Sequence, residues 1–217
     1  MSYGIRIECW GKEACFTRPE MKAERVSYDI MTPSAARGMV ESVYWHPGLK
    51  YVIDKIYLLA PVQFTNVRRN EVKSKILGSK VLGVAKDHKP LHLVTSQDIV
   101  QRAATILKDV HYAVELHFDM TDKAAPGDNP GKFKDILRRR LQKGQCYSQP
   151  YFGCREFPAC LRLVEDDETI IPYPDTRDLG YMLYDMDYSD PSHMEPIFFR
   201  ARLEKGVMDL RNCEVHR

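Results

Sequence analysis

The run GKFKDILRRRLQKG at residues 131–144 spaces Phe133, Ile136, Leu137 and Leu141 three and four apart, which predicts an amphipathic helix. Six basic side chains (Lys132, Lys134, Arg138, Arg139, Arg140 and Lys143) surround one acid, Asp135. A helix with so much uncompensated positive charge suits a polyanion, although a merely solvated basic face has the same pattern. The turn-rich TDKAAPGDNPG precedes it, and before that residues 103–120 are rich in β-branched and aromatic residues. That stretch is expected to be strand, bent or paired as a hairpin around Lys108 and Asp109. Near the start, residues 4–10 (GIRIECW) alternate as a strand does, with Ile5, Ile7 and Cys9 on one side. Thr32 and Pro33 offer an N-cap and a first-position proline for a helix whose buried stripe is Ala36, Met39, Val40 and Val43, ending near His46 before Pro47.

A strand is expected over residues 51–64, with Pro61 marking an edge or bend, and a polar, basic loop over residues 65–89. Residues 147–163 are expected to be extended, interrupted at Gly153. The resulting order, β-α-β-β-α-β, is that of a ferredoxin-like unit such as RNA-recognition modules use. The fold class expected is therefore α+β: a ferredoxin-like domain over residues 1–163 and a small β-rich C-terminal domain over residues 164–217.

The net charge of +2 conceals an asymmetry. Residues 165–195 hold ten acids and one base, Arg177, so that segment carries −9 and the remainder of the chain +11. The basic part has the footprint of a nucleic-acid binder, while the acidic segment is expected to be a solvated surface. Six cysteines form no CxxC pair, which predicts reduced thiols without disulfide or structural metal. No apolar run approaches a membrane span, and neither a Gly-rich nucleotide fingerprint nor a nucleophile elbow is present.

The basic part holds no compact acid cluster for two metals, and Asp185 and Asp187 are poor candidates in their acidic surroundings. If the protein cuts RNA, a metal-independent route with no cofactor is the more natural expectation. In that route the ribose 2′-hydroxyl attacks the adjacent phosphorus, with a base, a cation for the phosphorane and an acid for the leaving 5′-oxygen. Tyr44 at the end of the first helix, Lys132 opening the second, and His111 and His117 on one strand face are candidates. Each also suits a plain structural role.

Several stretches together resemble the CRISPR-associated "Cas five" family, subtype d, of the RAMP superfamily. They are ESVYW at residues 41–45, LKDVHY at 107–112, the Gly131–Lys132 pair, and FGCREFPA at 152–159, in an order and spacing that fit roughly the first 160 residues. The resemblance implies a ferredoxin-like domain followed by a β domain. It also implies metal-free cleavage of precursor CRISPR RNA at the base of the repeat stem-loop, in the prokaryotic cytoplasm. The protein would then hold the 5′ tag beside the backbone and large subunits of a type I-C surveillance complex. The family's tyrosine falls on Tyr44 and its lysine on Lys132, but its histidine falls on Phe133, which cannot move a proton. His46, His111 or His117 are the possible substitutes. Otherwise Tyr44 acts as base or orients the hydroxyl while Lys132 stabilises charge.

Lys134, Arg138, Arg139 and Arg140 are expected to meet phosphates, although helical geometry cannot turn three successive arginines to one surface. Arg68 and Arg69 offer a second basic wall, Gly153 a close backbone approach to RNA, and Arg155 a further phosphate contact. Two alternatives are a non-catalytic RNA-holding subunit of the same complex and a binder that also grips duplex DNA non-specifically. The first rests on Phe133, the second on the lack of sequence information in phosphate contacts.

Overall fold

The computed structural model describes residues 4–87, 92–190 and 192–217; Lys89, counted in the basic stretch above, lies outside them. Its first sheet is built around one very long strand. β1 (Ile5–Ala14) is followed by α1 (Pro33–Val43), β2 (Leu49–Leu58), β3 (Phe64–Val72), α2 (Gly78–Asp87), β4 (Ile99–Met120), α3 (Pro130–Gln142) and β5 (Cys160–Val164). The strands order as β5-β1-β4-β2, all antiparallel, so β4 lies between the parallel pair β1 and β2 that α1 connects. This is the ferredoxin-like arrangement that the element order predicts, enlarged by β3 and α2.

The enlargement changes the reading of residues 51–89. β2 and β3 flank Pro61 and pair with successive halves of β4, Leu58 opposite Tyr112 and Phe64 opposite Leu107. They behave as one strand broken where proline cannot donate to a ladder. The stretch expected as a loop is thus strand β3 plus helix α2. Its signal is weak because one face of β3 is exposed and the other only half-buried, where Val67 alone of its apolar residues packs against the core. β4 also runs through Lys108 and Asp109 without turning, although Asp109 adopts a left-handed φ of 51°.

α1 begins as its sequence requires: the Thr32 hydroxyl accepts from the Ala35 N–H, and Pro33 needs no amide partner. It ends at Val43, earlier than expected, with Tyr44 already extended at φ −150° and ψ 125°. α3 is capped by Asn129, whose side chain accepts from the Lys132 N–H. Both helices bury their stripes on one face of the sheet, Ala36, Met39 and Val40 from α1 and Phe133, Leu137 and Leu141 from α3. Opposite them stand Ile7, Cys9, Val114, Leu116 and Phe118. Full burial of each large apolar side chain contributes about 1.5–3 kcal/mol, which fixes the helices relative to the strands.

Only residues 160–164 of the stretch expected to be extended form a strand; the preceding segment is irregular and pinned by backbone bonds, such as Cys15 N–H to Phe152 C=O at 3.1 Å. Further on, β6 (Arg177–Asp187), β7 (Glu195–Leu203) and β9 (Val215–His216) make a second sheet. β8 (Val207–Asp209) instead pairs with β2 and extends the first sheet. The acidic segment is not a bare solvated surface. Asp185 binds Arg37 of α1, Glu165 binds Arg138 of α3, and Glu168 binds Arg162, each within 2.9 Å. No helix among the described residues is long and apolar enough to cross a membrane.

Candidate active site

The end of α1 and the start of α3 meet over Phe118 of β4. Tyr44 leaves α1 in an extended conformation, and its carbonyl accepts the Tyr51 hydroxyl of β2 at 2.9 Å. Beyond it the chain turns tightly, with the Gly48 N–H donating to His46 Nδ1 at 3.0 Å. A Cβ on Gly48 would collide with Ala124, so the glycine lets the 121–129 loop close against this turn. That closure carries Asp128 to within 3.8 Å of His46 Nε2. The Asp128 carboxylate also accepts from the Ala125 N–H at 2.9 Å and from Lys132 Nζ at 2.8 Å.

The result is a compact cluster of Tyr44, His46, Asp128, Lys132 and Arg140 resting on a ring platform. Phe133 lies under it, 6.1 Å from the Tyr44 ring and 4.9 Å from the His46 ring, and is 1% exposed. Arg140 sits over the Tyr44 ring at 5.1 Å and donates to the Val43 carbonyl at 2.7 Å. The Asp128 side chain is 4% exposed and that of Lys132 is 50% exposed, so the ammonium faces solvent from an anchored base.

Each group's protonation follows from these contacts. Burial pushes the Tyr44 phenol above its ordinary pKa, against the pull of the Lys132 and Arg140 charges, so it is a proton donor at neutral pH and not a ready base. The hydrogen bond to Asp128 pushes the Lys132 ammonium up, and the same bond holds the Asp128 carboxyl below its ordinary value. The His46 Nδ1 accepts the Gly48 N–H, which leaves Nε2 as the ring nitrogen that faces Asp128. The cluster is stocked with donors and two held cations, Lys132 and Arg140, suited to stabilising a phosphorane and protonating a leaving oxygen.

His111 and His117 do not join it. Period-two alternation turns both to the face of β4 opposite Phe118. There His111 Nε2 lies 2.6 Å from Glu8, and His117 Nδ1 lies 2.8 Å from Asp54. The expected phosphate contacts also divide. Arg138 is held by Glu165 at 2.6 Å and by Asp166, which removes it from the free cations. Arg139 is exposed, and neither it nor Lys134 pairs with an acid among the described residues. Arg68 is exposed on β3, whereas Arg69 pairs with Glu156 and covers the Phe157 ring at 5.1 Å. Gly153 has a left-handed φ of 77°, and its missing side chain makes room for the Cys15 carbonyl of this same chain. Its close approach is therefore internal. Arg155 is exposed and lines a cleft that Tyr44 also borders. Asp128 escaped the sequence reading, although its spacing four residues before Lys132 across a helix cap was available as a signal.

A family model named for Cas5d and described as "CRISPR-associated protein (Cas_Cas5)" matches residues 4–211. The chain is 48% identical to the CRISPR pre-crRNA endoribonuclease Cas5d of Mannheimia succiniciproducens, over 97% of this chain and 96% of that one. It is 34% identical to the protein of the same name from Thermus thermophilus, over 95% of this chain and 90% of the relative. A crystal structure of a CRISPR-associated protein superposes with a TM-score of 0.71 at 20% identity, covering 100% of this chain and 97% of the other, which speaks for the fold alone.

Proposed function

Because the chain belongs to the Cas5d family of CRISPR-associated proteins, we propose that it is an endoribonuclease that cuts precursor CRISPR RNA within the repeat, at the base of the stem-loop. The observation that carries this reading is the single cluster in which Asp128 holds Lys132 beside Tyr44. The 2′-oxygen bonds to phosphorus as the P–O5′ bond breaks, giving a 2′,3′-cyclic phosphate and a 5′-hydroxyl. Lys132 meets the charge on the phosphorane oxygens, and the protonated Tyr44 phenol hydrogen-bonds to or protonates the departing 5′-oxygen. His46 takes the place left by Phe133 as a hydrogen-bond donor from Nε2, not as a proton shuttle. Solvent removes the 2′-hydroxyl proton, because the described cluster offers no uncommitted base.

No metal enters this route. The protein keeps the cut 5′ tag through Arg139, Lys134, Arg68 and Arg155, and presents it within a multisubunit surveillance complex. The same cations admit duplex DNA, since phosphate contacts carry no sequence information. The experiment is cleavage of repeat RNA by purified protein in excess EDTA, with a second RNA lacking only the 2′-hydroxyl at the cleaved bond. Cyclic phosphate from the first and no cutting of the second are expected. A requirement for metal, or cutting of the deoxy-substituted RNA, would overturn the mechanism.

One observation favours a second reading, a subunit that holds RNA without cutting it. Phe133 is a buried packing residue where the family resemblance expects a histidine. Tight binding of repeat RNA with no product over hours would establish that reading instead.

A further inference from the structure

Beside Tyr44 opens a cleft of about 830 Å³ whose lining includes Trp45, Tyr147, Tyr151, Arg140 and Arg155. Two of its rings are left unusually bare: Trp45 is 59% exposed and Tyr147 is 85% exposed. The segment that carries Tyr147 is nevertheless tied down, and Trp45 follows directly on the end of α1. The Tyr147 and Ser148 N–H groups donate to the Ser42 carbonyl of α1 at 2.8 and 3.1 Å. Gln149 Nε2 donates to the Pro150 and Ala159 carbonyls, both at 3.3 Å. Two bare aromatic rings lining one cleft, one of them on an anchored segment, are placed to receive something flat.

The charges around the cleft narrow what that is. Arg155 pairs with no acid among the described residues, and Arg140 is bound only to a carbonyl and a ring. The cleft's one carboxylate, Glu41, is occupied by Arg37 at 2.7 Å. The cleft therefore combines exposed aromatic faces with uncompensated guanidinium charge, the pairing that single-stranded nucleic acid requires. A duplex keeps its bases stacked inside and presents no ring for Trp45 or Tyr147 to meet.

We propose that this cleft binds one unpaired nucleotide of the RNA next to the bond that is cut, with its base stacked on Trp45 and Tyr147 and its phosphate on Arg155. The identity of the neighbouring bond rests on the cleavage reading above, but the binding itself does not. Tyr44 and Arg140 border both the cleft and the catalytic cluster, so a base held here fixes the position of the phosphate beside it.

The test is fluorescence-anisotropy binding of labelled repeat RNA made uncleavable by a 2′-deoxy substitution at the cut site. It is repeated with one abasic unit moved through the unpaired positions. Trp45→Ala and Tyr147→Ala are each expected to weaken intact RNA about 5- to 100-fold, with Tyr147→Phe restoring binding. At one or two adjacent positions the abasic RNA binds the wild type weakly and no longer distinguishes it from either alanine variant. Arg155→Ala instead lowers the slope of log affinity against log salt by about one. Alanine variants that bind intact RNA within twofold of the wild type, or an effect equal at every abasic position, would overturn the proposal. A wild type that shows the abasic pattern yet cuts no RNA removes the cleavage reading and leaves the stacking site standing.

Discussion

The two faces of the first sheet both carry histidines next to carboxylates, yet only one has the makings of a reactive site. On the open face Glu8 serves His111 and Arg162, Asp54 serves His117, and Glu115 serves Lys55 and Tyr57. Charge meets charge within a flat network, and little is left over for a ligand. On the helical side Asp128 is the one carboxylate shared by Lys132 and His46, with Arg140 and Tyr44 beside them. There the cations outnumber the acid, and the ammonium reaches solvent. Proximity of a histidine to an acid is thus common to both faces; surplus positive charge at a helix start is not.

The largest expected effect that separates the faces comes from Tyr44→Phe, which keeps the ring under Arg140 and removes only the hydroxyl. Single-turnover cleavage of repeat RNA should slow by about 10²–10⁴-fold with binding retained, as loss of a positioned acid does. The pH dependence follows from the directions of the shifts. Tyr44 and Lys132 both stay protonated above their ordinary ranges, so neither loses its role as pH rises through neutrality. With solvent as the base, the cleavage rate should climb about tenfold per unit from neutral into mildly alkaline pH. A plateau beginning in the imidazole range would instead make His46 the base and break the comparison.

Smaller effects sharpen it. Arg139→Ala should lower the salt slope of RNA binding by about one, because its charge is free. Arg138→Ala should leave that slope unchanged and cost about 0–1 kcal/mol of stability in urea titration, because Glu165 already holds it. The smallest is His117→Ala, which should leave cleavage within about twofold of the wild type, as substitutions away from a site do. A large loss there would mean that the open face takes part.

The sequence carried the ferredoxin-like order because its core elements obey strong local rules: alternation in β1, a Thr-Pro cap on α1, and a capped amphipathic α3. It hid β3 and α2 because β3 is only half-buried on one face and α2 is exposed over most of its described length, so neither needs a continuous apolar stripe. Tyr44 and Lys132 were legible from the family's motifs, but their meeting depends on Gly48 admitting the 121–129 loop, a long-range fact. Alternation already put His111 and His117 on one strand face, but only the packing of Phe118 against Phe133 shows that this face points away from His46. Which of the three successive arginines an acid holds was not legible, because the partner of Arg138 lies 27 residues away. Trp45 was legible only as the end of the ESVYW stretch and Tyr147 not at all, since only the folded surface shows which aromatics remain bare.

The central claim is that Lys132, fixed by Asp128 beside Tyr44, supplies the charge that the transition state needs. Its most direct test is single-turnover cleavage of repeat RNA by Lys132→Ala protein, with the affinity of the same protein for uncleavable RNA measured alongside. The account predicts a rate reduced by about 10²–10³-fold, the cost of removing one preorganised electrostatic group, while affinity changes only a few-fold. A variant that cuts at the wild-type rate would contradict it.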